Sequence, residues 1–292
     1  MRTTLPATIE KPRSAFLAAA LLLLLAGCGS TPPPPKIGFS SYGTGYASKP
    51  DFARIELDHP LTPADRAAIT PDNLRGLPQE KVDQIYARLS AGAIPDGPYT
   101  GDLFFADGGG PQRISQVMGG AKGFANDLAL DQIRFLGKAL WKGQVFYRDL
   151  RELRNMIDDR TVVAKLFDVD VSAMRTGQFN GKTVGLLFPA KLYCGQSLLD
   201  SRRESVIIDY AFGDDIDGYL PNVDSVAGRN GLQVRDEIRR VRPGFYLGRA
   251  YMGKIFILNF TLYNAAAAKA GATPGDCWDG PTQNFEPVAG TH

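Results

Sequence analysis

Histidine is scarce in this chain: 292 residues include two, His59 in a proline-flanked segment and His292 at the end. A Ser-His-Asp or Cys-His nucleophile would have to recruit one of these, and neither is well placed. Zinc is excluded on the same ground, because no His and Cys ligands cluster. Ser197, in Gly195-Gln196-Ser197-Leu198-Leu199, lacks the second glycine of a nucleophile elbow. Gly181-Lys182-Thr183 has Thr176 where a phosphate loop needs its first glycine, so it reads as a hairpin. No catalytic residue, no metal ligand and no cofactor follows from these patterns, and binding is expected ahead of catalysis.

The chain does carry an address at its start. Arg2, Lys11 and Arg13 precede the apolar run Ala15 to Leu25. That run is shorter than the roughly 20 residues of a membrane-spanning helix and ends in small residues, the pattern of a cleaved export signal. Leu25-Ala26-Gly27-Cys28 resembles the lipobox of bacterial lipoproteins. The resemblance implies that the Cys28 sulfur receives a diacylglyceryl group and that Cys28 becomes the first residue after residues 1–27 are removed. Gly29 and Ser30 lack the aspartate that signals inner-membrane retention in such lipoproteins, which points to the outer membrane, facing the periplasm.

Removing the signal takes away three bases and one acid from a chain with 33 Lys+Arg and 31 Asp+Glu. The remainder is neutral, with no electrostatic footprint for nucleic acid or for an anionic bilayer surface. Membrane attachment is therefore expected through acyl chains. With Cys28 acylated, Cys194 and Cys277 form an even pair in a compartment that permits disulfides, and a bond between them is expected.

Residues 28–50 read as a tether, with Pro32 to Pro35 extended and the Gly/Ser/Tyr-rich stretch after them looser; disorder is the expectation. Residues 51–140 read as mainly helical. Thr62-Pro63-Ala64-Asp65 is a helix start. Val82, Ile85, Tyr86 and Leu89 build one apolar stripe, and Ala125, Ala129, Ile133, Leu136 and Leu140 build another. Residues 141–270 read as strands, and 271–292 as a C-terminal tail. Strands are expected at Tyr99–Phe105, Gln144–Tyr147, Val162–Val169, Val184–Tyr193, Ser205–Phe212, Phe245–Met252 and Ile255–Tyr263, with hairpins at Asn180-Gly181 and Gly253-Lys254. Pro189 marks an edge or a bend. In the last strand Phe256, Leu258, Phe260 and Leu262 share a face. This order indicates an α+β chain: an antiparallel β-barrel or strongly curved sheet with the N-terminal helices packed on it.

The segment Val234 to Val241 fits a strand, with Arg235, Glu237 and Arg239 on one face, or a helix with Val234, Ile238 and Val241 in a stripe. Two readings stand for its charges: a polar constellation at a cavity mouth with Asp209, Tyr210 and Tyr246, or a solvated salt-bridge face. Trp141-Lys142-Gly143-Gln144-Val145-Phe146, Ser205 to Tyr210 and Arg235 to Gly248 resemble the motif order of calycin-like bacterial proteins with a Gly-x-Trp-x-Gly signature, although Ala139 replaces the first glycine. The resemblance implies a small antiparallel barrel holding an apolar ligand, with Trp141 and Gly143 closing the barrel.

Two carboxylate groups complete the candidates. Asp214, Asp215, Asp217 and Asp224 are spaced like a calcium loop whose first position is Gly213, and read rather as a polar turn. Asp168 and Asp170 would share a strand face as a pair. The leading expectation is an envelope lipoprotein binding a lipid or other apolar small molecule, with Asp209, Tyr210, Arg235, Glu237, Arg239, Tyr246, Phe256, Leu258 and Phe260 as ligand-binding candidates. A protein docking another envelope component is the alternative, and an enzyme using carboxylates is a weaker one.

Overall fold

The computed structural model describes residues 36–43, 48–105, 140–271 and 275–278. The lipobox, the prolines 32–35, Tyr46, the stripe from Ala125 to Leu136, Ala139 and His292 lie outside them.

Among the described residues four short helices come first: α1 (Phe52–Asp58), α2 (Pro63–Ala68), α3 (Pro71–Arg75) and α4 (Gln79–Ala87). Each of the first three starts at a side-chain cap. Thr62 and Thr70 form capping boxes with Asp65 and Asn73, each followed by proline at the first helical position. Nine strands follow among the described residues: β1 (Gly97–Phe104), β2 (Trp141–Tyr147), β3 (Glu152–Ile157), β4 (Thr176–Phe179), β5 (Lys182–Gln196), β6 (Glu204–Asp209), β7 (Val234–Arg242), β8 (Phe245–Met252) and β9 (Ile255–Tyr263). Every pairing is antiparallel, in the order β3-β2-β1-β9-β8-β7-β6-β5-β4. Pairing of β3 with β5 closes eight of these strands into a barrel, with β4 appended to β5. A barrel of this strand number has an interior that side chains can fill or that holds one small ligand. The chain is thus an α+β antiparallel barrel, and β1 places the start of that barrel inside the stretch expected to be mainly helical.

Closure depends on a bend in β5. Phe188 adopts φ 50°, in the left-handed region, and its N–H donates to Asp224 Oδ1 at 2.6 Å. The β3–β5 register shifts beside it, so Pro189 marks the bend by which β5 serves β4 and β3 before passing to β6. At the Asn180-Gly181 turn both residues have positive φ, 49° and 75°, as a type I′ hairpin requires.

The expected strand Val162–Val169 is instead a helix, α5 (Arg160–Phe167). Asp159 caps its start by accepting from the N–H groups of Thr161 and Val162, and Asp168 ends it in the left-handed conformation. Capping at both ends outweighs the β-branched residues between. The Asp168/Asp170 pair is lost with the strand, for Asp170 caps the next turn through Ser172. Strand β3 was not anticipated, because Arg154 and Asn155 interrupt its apolar alternation.

Helices α1 to α4 lie on the outer face of β7, β8 and β9. Ile55, Leu74, Val82, Ile85, Tyr86 and Leu89 are buried there with Val241, Phe245 and Leu247 of the sheet. Residues 36–42 join this layer: Gln84 exchanges hydrogen bonds with the Ser40 backbone at 2.9 and 2.7 Å, and Phe39 lies under Lys81 and Arg88. The segment expected to be disordered up to residue 50 is therefore docked from Ile37 to Tyr42. One end of the barrel is filled by Tyr99, Phe146, Leu153, Leu192 and Tyr246, with Ala91 and Ile94 across it. A disulfide between Cys194 and Cys277 pins the chain after β9 over that same end.

Candidate functional site

The opposite end is not filled. There the strands enclose a cavity of about 200 Å³, lined mainly by apolar side chains such as Leu103, Phe188, Val226, Leu232, Leu258 and Phe260. Small residues make the room. Gly248 faces the Phe260 ring, where an added Cβ would approach to 2.3 Å, and Ala250 sits next along the same inner face. Trp141 stands in the wall, edge-on to Phe260 with ring centroids 6.0 Å apart. Gly143, at φ 130°, passes so close to β1 that a Cβ would lie 1.9 Å from the Tyr99 carbonyl oxygen. These are the two residues that the calycin-like resemblance carries over; here they form the cavity wall and the β1–β2 contact.

The polar groups of five side chains converge in this apolar setting. The Trp141 indole N–H donates to Asn155 Oδ1 at 2.7 Å, and Asn155 Nδ2 donates to the Phe188 carbonyl at 3.1 Å and to the Tyr210 hydroxyl at 3.0 Å. Gln144 Nε2 also reaches the Tyr210 oxygen, at 3.3 Å. Tyr210, having accepted twice, donates its proton to Asp236 Oδ2 at 3.3 Å. The chain of donors therefore runs from Trp141 to Asp236 and ends on a carboxylate. Asp236 Oδ1 and Gln144 Oε1 are buried with no hydrogen-bond partner among the described residues.

Such groups are costly to leave unpaired in an apolar interior. Burial pushes the Asp236 carboxyl up to about 7, and Glu237 adds to the rise, while Tyr210 and Arg235 oppose it. Burial, and then the charge of Asp236, raises the Tyr210 hydroxyl well above its ordinary value, so it stays a donor. Asp236 is the one charged side chain among the described residues lining the cavity.

Of the candidates, Tyr210, Leu258 and Phe260 line this cavity. Tyr246 lies inside the barrel at the filled end, its hydroxyl donating to the Ala93 carbonyl at 3.0 Å. Phe256 is turned to the outer face. The β8–β9 register shifts between Ala250 and Tyr251, leaving Ile257 as an extra residue, and beyond it Phe256 lies 4.0 Å beneath the Arg249 guanidinium. Asp209 is outside as well, accepting from the Tyr193 hydroxyl at 2.7 Å and capping the turn Tyr210–Asp215.

Arg235, Glu237 and Arg239 form neither a cavity mouth nor a solvated face. Segment 234–242 is a strand whose outer face is covered by α4 and by residues 197–204. Glu237 is fully buried, accepting from the Leu198 N–H at 2.8 Å and from Arg235, with its second oxygen unpartnered. Arg239, also fully buried, donates to the carbonyls of Tyr86, Ala87, Asp200, Arg203 and Glu204 and to the Ser205 hydroxyl.

The calcium spacing does not form a loop either. Asp214 and Asp217 pair with Arg229 and Arg175, and Asp224 turns inward to accept from Leu220 and Phe188. Cys194, Glu204, Asp276 and Cys277 lie close together, but the two sulfurs are bonded to each other and cannot ligate.

Sequence reasoning missed Gln144, Asn155 and Asp236. A signal existed for the last: the strand reading that sets Arg235, Glu237 and Arg239 on one face sets Asp236 on the other, between Val234 and Ile238, where an acid is out of place.

Among the described residues, no helix is long and apolar enough to cross a membrane. Models of known protein families give no match to the chain. A search of curated proteins gives none either. Among solved structures, the chain is similar to a protein from Thermomonospora curvata, at 14% identity and a TM-score of 0.34, over 66% of this chain and 91% of that one.

Proposed function

We propose that this chain is an envelope lipoprotein, held by acyl chains on Cys28 and carried to the outer membrane, with Gly29 and Ser30 where a retention aspartate would stand, whose barrel binds an apolar small molecule with one polar end. The observation that carries the binding reading is the half-empty barrel: apolar walls around a buried polar cluster that retains unpartnered acceptors. A solidly filled barrel would have favoured a docking protein. An enzyme working with two carboxylates would need a second acid beside Asp236, and among the described lining residues there is none. At about 200 Å³ the cavity is smaller than the roughly 300–1,000 Å³ of drug-sized sites. It suits a short chain or small ring, or the end of a longer lipid whose remainder leaves through the open end.

Native mass spectrometry of the protein purified from its own envelope, followed by lipid extraction, tests the binding. A co-purified apolar molecule of defined mass is expected; a bare protein mass under conditions that preserve known lipid complexes contradicts it. The anchor is tested separately. Cys28→Ser should move the protein from the membrane to the soluble fraction, and retention in the membrane would reject the lipobox.

A further inference from the structure

The polar cluster narrows the ligand further, on the premise that the cavity is a binding site. Its two unpartnered atoms, Asp236 Oδ1 and Gln144 Oε1, are both acceptors, while the hydroxyl and amide donors around them are committed to one another. A ligand that satisfies the cluster must donate, and more than once. The described lining residues offer an anion no lysine or arginine, and they include Trp141, Tyr210 and Phe260, whose ring faces attract cations. Asp236 is 6% exposed, so a charge placed beside it is screened little by water.

We propose that the ligand is a primary amine with an apolar body: the ammonium donates to Asp236 Oδ1 and Gln144 Oε1, and the body lies against Phe188, Leu258 and Phe260. A carboxylate-headed lipid is disfavoured by the same geometry, since it brings acceptors and negative charge to acceptors. An alcohol is intermediate, with one donor for two acceptors.

Isothermal titration of the purified protein with hexylamine, 1-hexanol and hexanoate tests this. Hexylamine is expected to bind at least about tenfold more tightly than hexanoate at neutral pH. Alkylamines stay protonated in this range, as lysine does. The Asp236 carboxyl, pushed up to about 7 by burial, is mostly protonated near pH 5.5 and mostly ionised near pH 8.5. Hexylamine affinity should therefore rise about thirtyfold between those two conditions, in proportion to the ionised fraction. Asp236→Asn should abolish that rise. Tyr210→Phe, which removes a hydrogen bond that lowers the carboxyl pKa, should move the midpoint to higher pH. If hexanol binds but hexanoate equals hexylamine, or hexylamine affinity is flat with pH, the amine inference is overturned and the binding site stands. If none of the three binds, the binding reading falls with it.

Discussion

Strand β7 sends Glu237 and Arg239 to one side of the sheet and Asp236 to the other, and the two sides treat buried polarity differently. Outside, Arg239 is spent on five carbonyls and a hydroxyl, and Arg249 pairs with Asp83 beneath α4. Glu237 keeps one idle oxygen, but it is packed beneath the covering segment and paired with Arg235. Inside, Asp236 holds one oxygen toward Tyr210 and the other has no partner among the described residues, beside an apolar cavity. The outer charges act as fasteners between helices and barrel. In the proposed reading, the inner one meets something that is not part of the chain. A buried polar group is informative about function by what remains unsatisfied and by whether space adjoins it.

Breaking the outer side should have the largest effect. Arg239→Met removes the cation and strands several buried carbonyls, and is expected to cost about 3–5 kcal/mol in urea denaturation. A loss under about 1 kcal/mol would mean that those contacts are not fastening the helical layer. Next comes the disulfide, which spans 83 residues and is expected to contribute about 2–4 kcal/mol. Cys194→Ser with Cys277→Ser should lower stability by that amount yet leave cavity binding unchanged, since the bond lies at the filled end; two alkylatable thiols in the native protein would reject the bond itself.

The inner side should respond in the opposite sense. The folded Asp236 pKa of about 7 lies above the roughly 3.9 of an unfolded aspartate. The proton is therefore held more tightly by the folded chain. The associated stability is fully present below the unfolded value and is lost as pH rises through the folded one. Asp236→Asn should then stabilise the protein by a few kcal/mol near pH 8 and make little difference near pH 4. Destabilisation at pH 8 would show that the inner carboxylate, like the outer charges, is a fastener.

Much of this fold was legible in local chemistry. The capping residues Thr62 and Asp65, the stripe from Val82 to Leu89 and the Asn180-Gly181 turn each act within a few residues, and each formed as read. Features that depend on distant partners were not legible. The bulge that turns Phe256 outward needs the β8–β9 register, and Asp159 overrode the β-branched run of Val162 and Val163 by capping α5. The site was hidden for a related reason. Gln144, Asn155 and Asp236 come from three strands and meet through barrel closure, so no spacing in the sequence announces them, and Asn155 and Arg154 disguised β3 itself. Charge density drew attention to Arg235, Glu237 and Arg239, which burial beneath α4 puts to structural use.

Trp141 offers the most direct test of the cavity. Trp278, exposed at 63%, is the other tryptophan, so Trp278→Phe leaves Trp141 emission as the report from the cavity wall. Titrating that protein with 1-hexanol or hexylamine should shift and saturate the emission, and Asp236→Asn should weaken the hexylamine response more than that to hexanol. Emission that does not change with either molecule, in a protein whose melting confirms the native fold, would contradict a ligand-binding barrel.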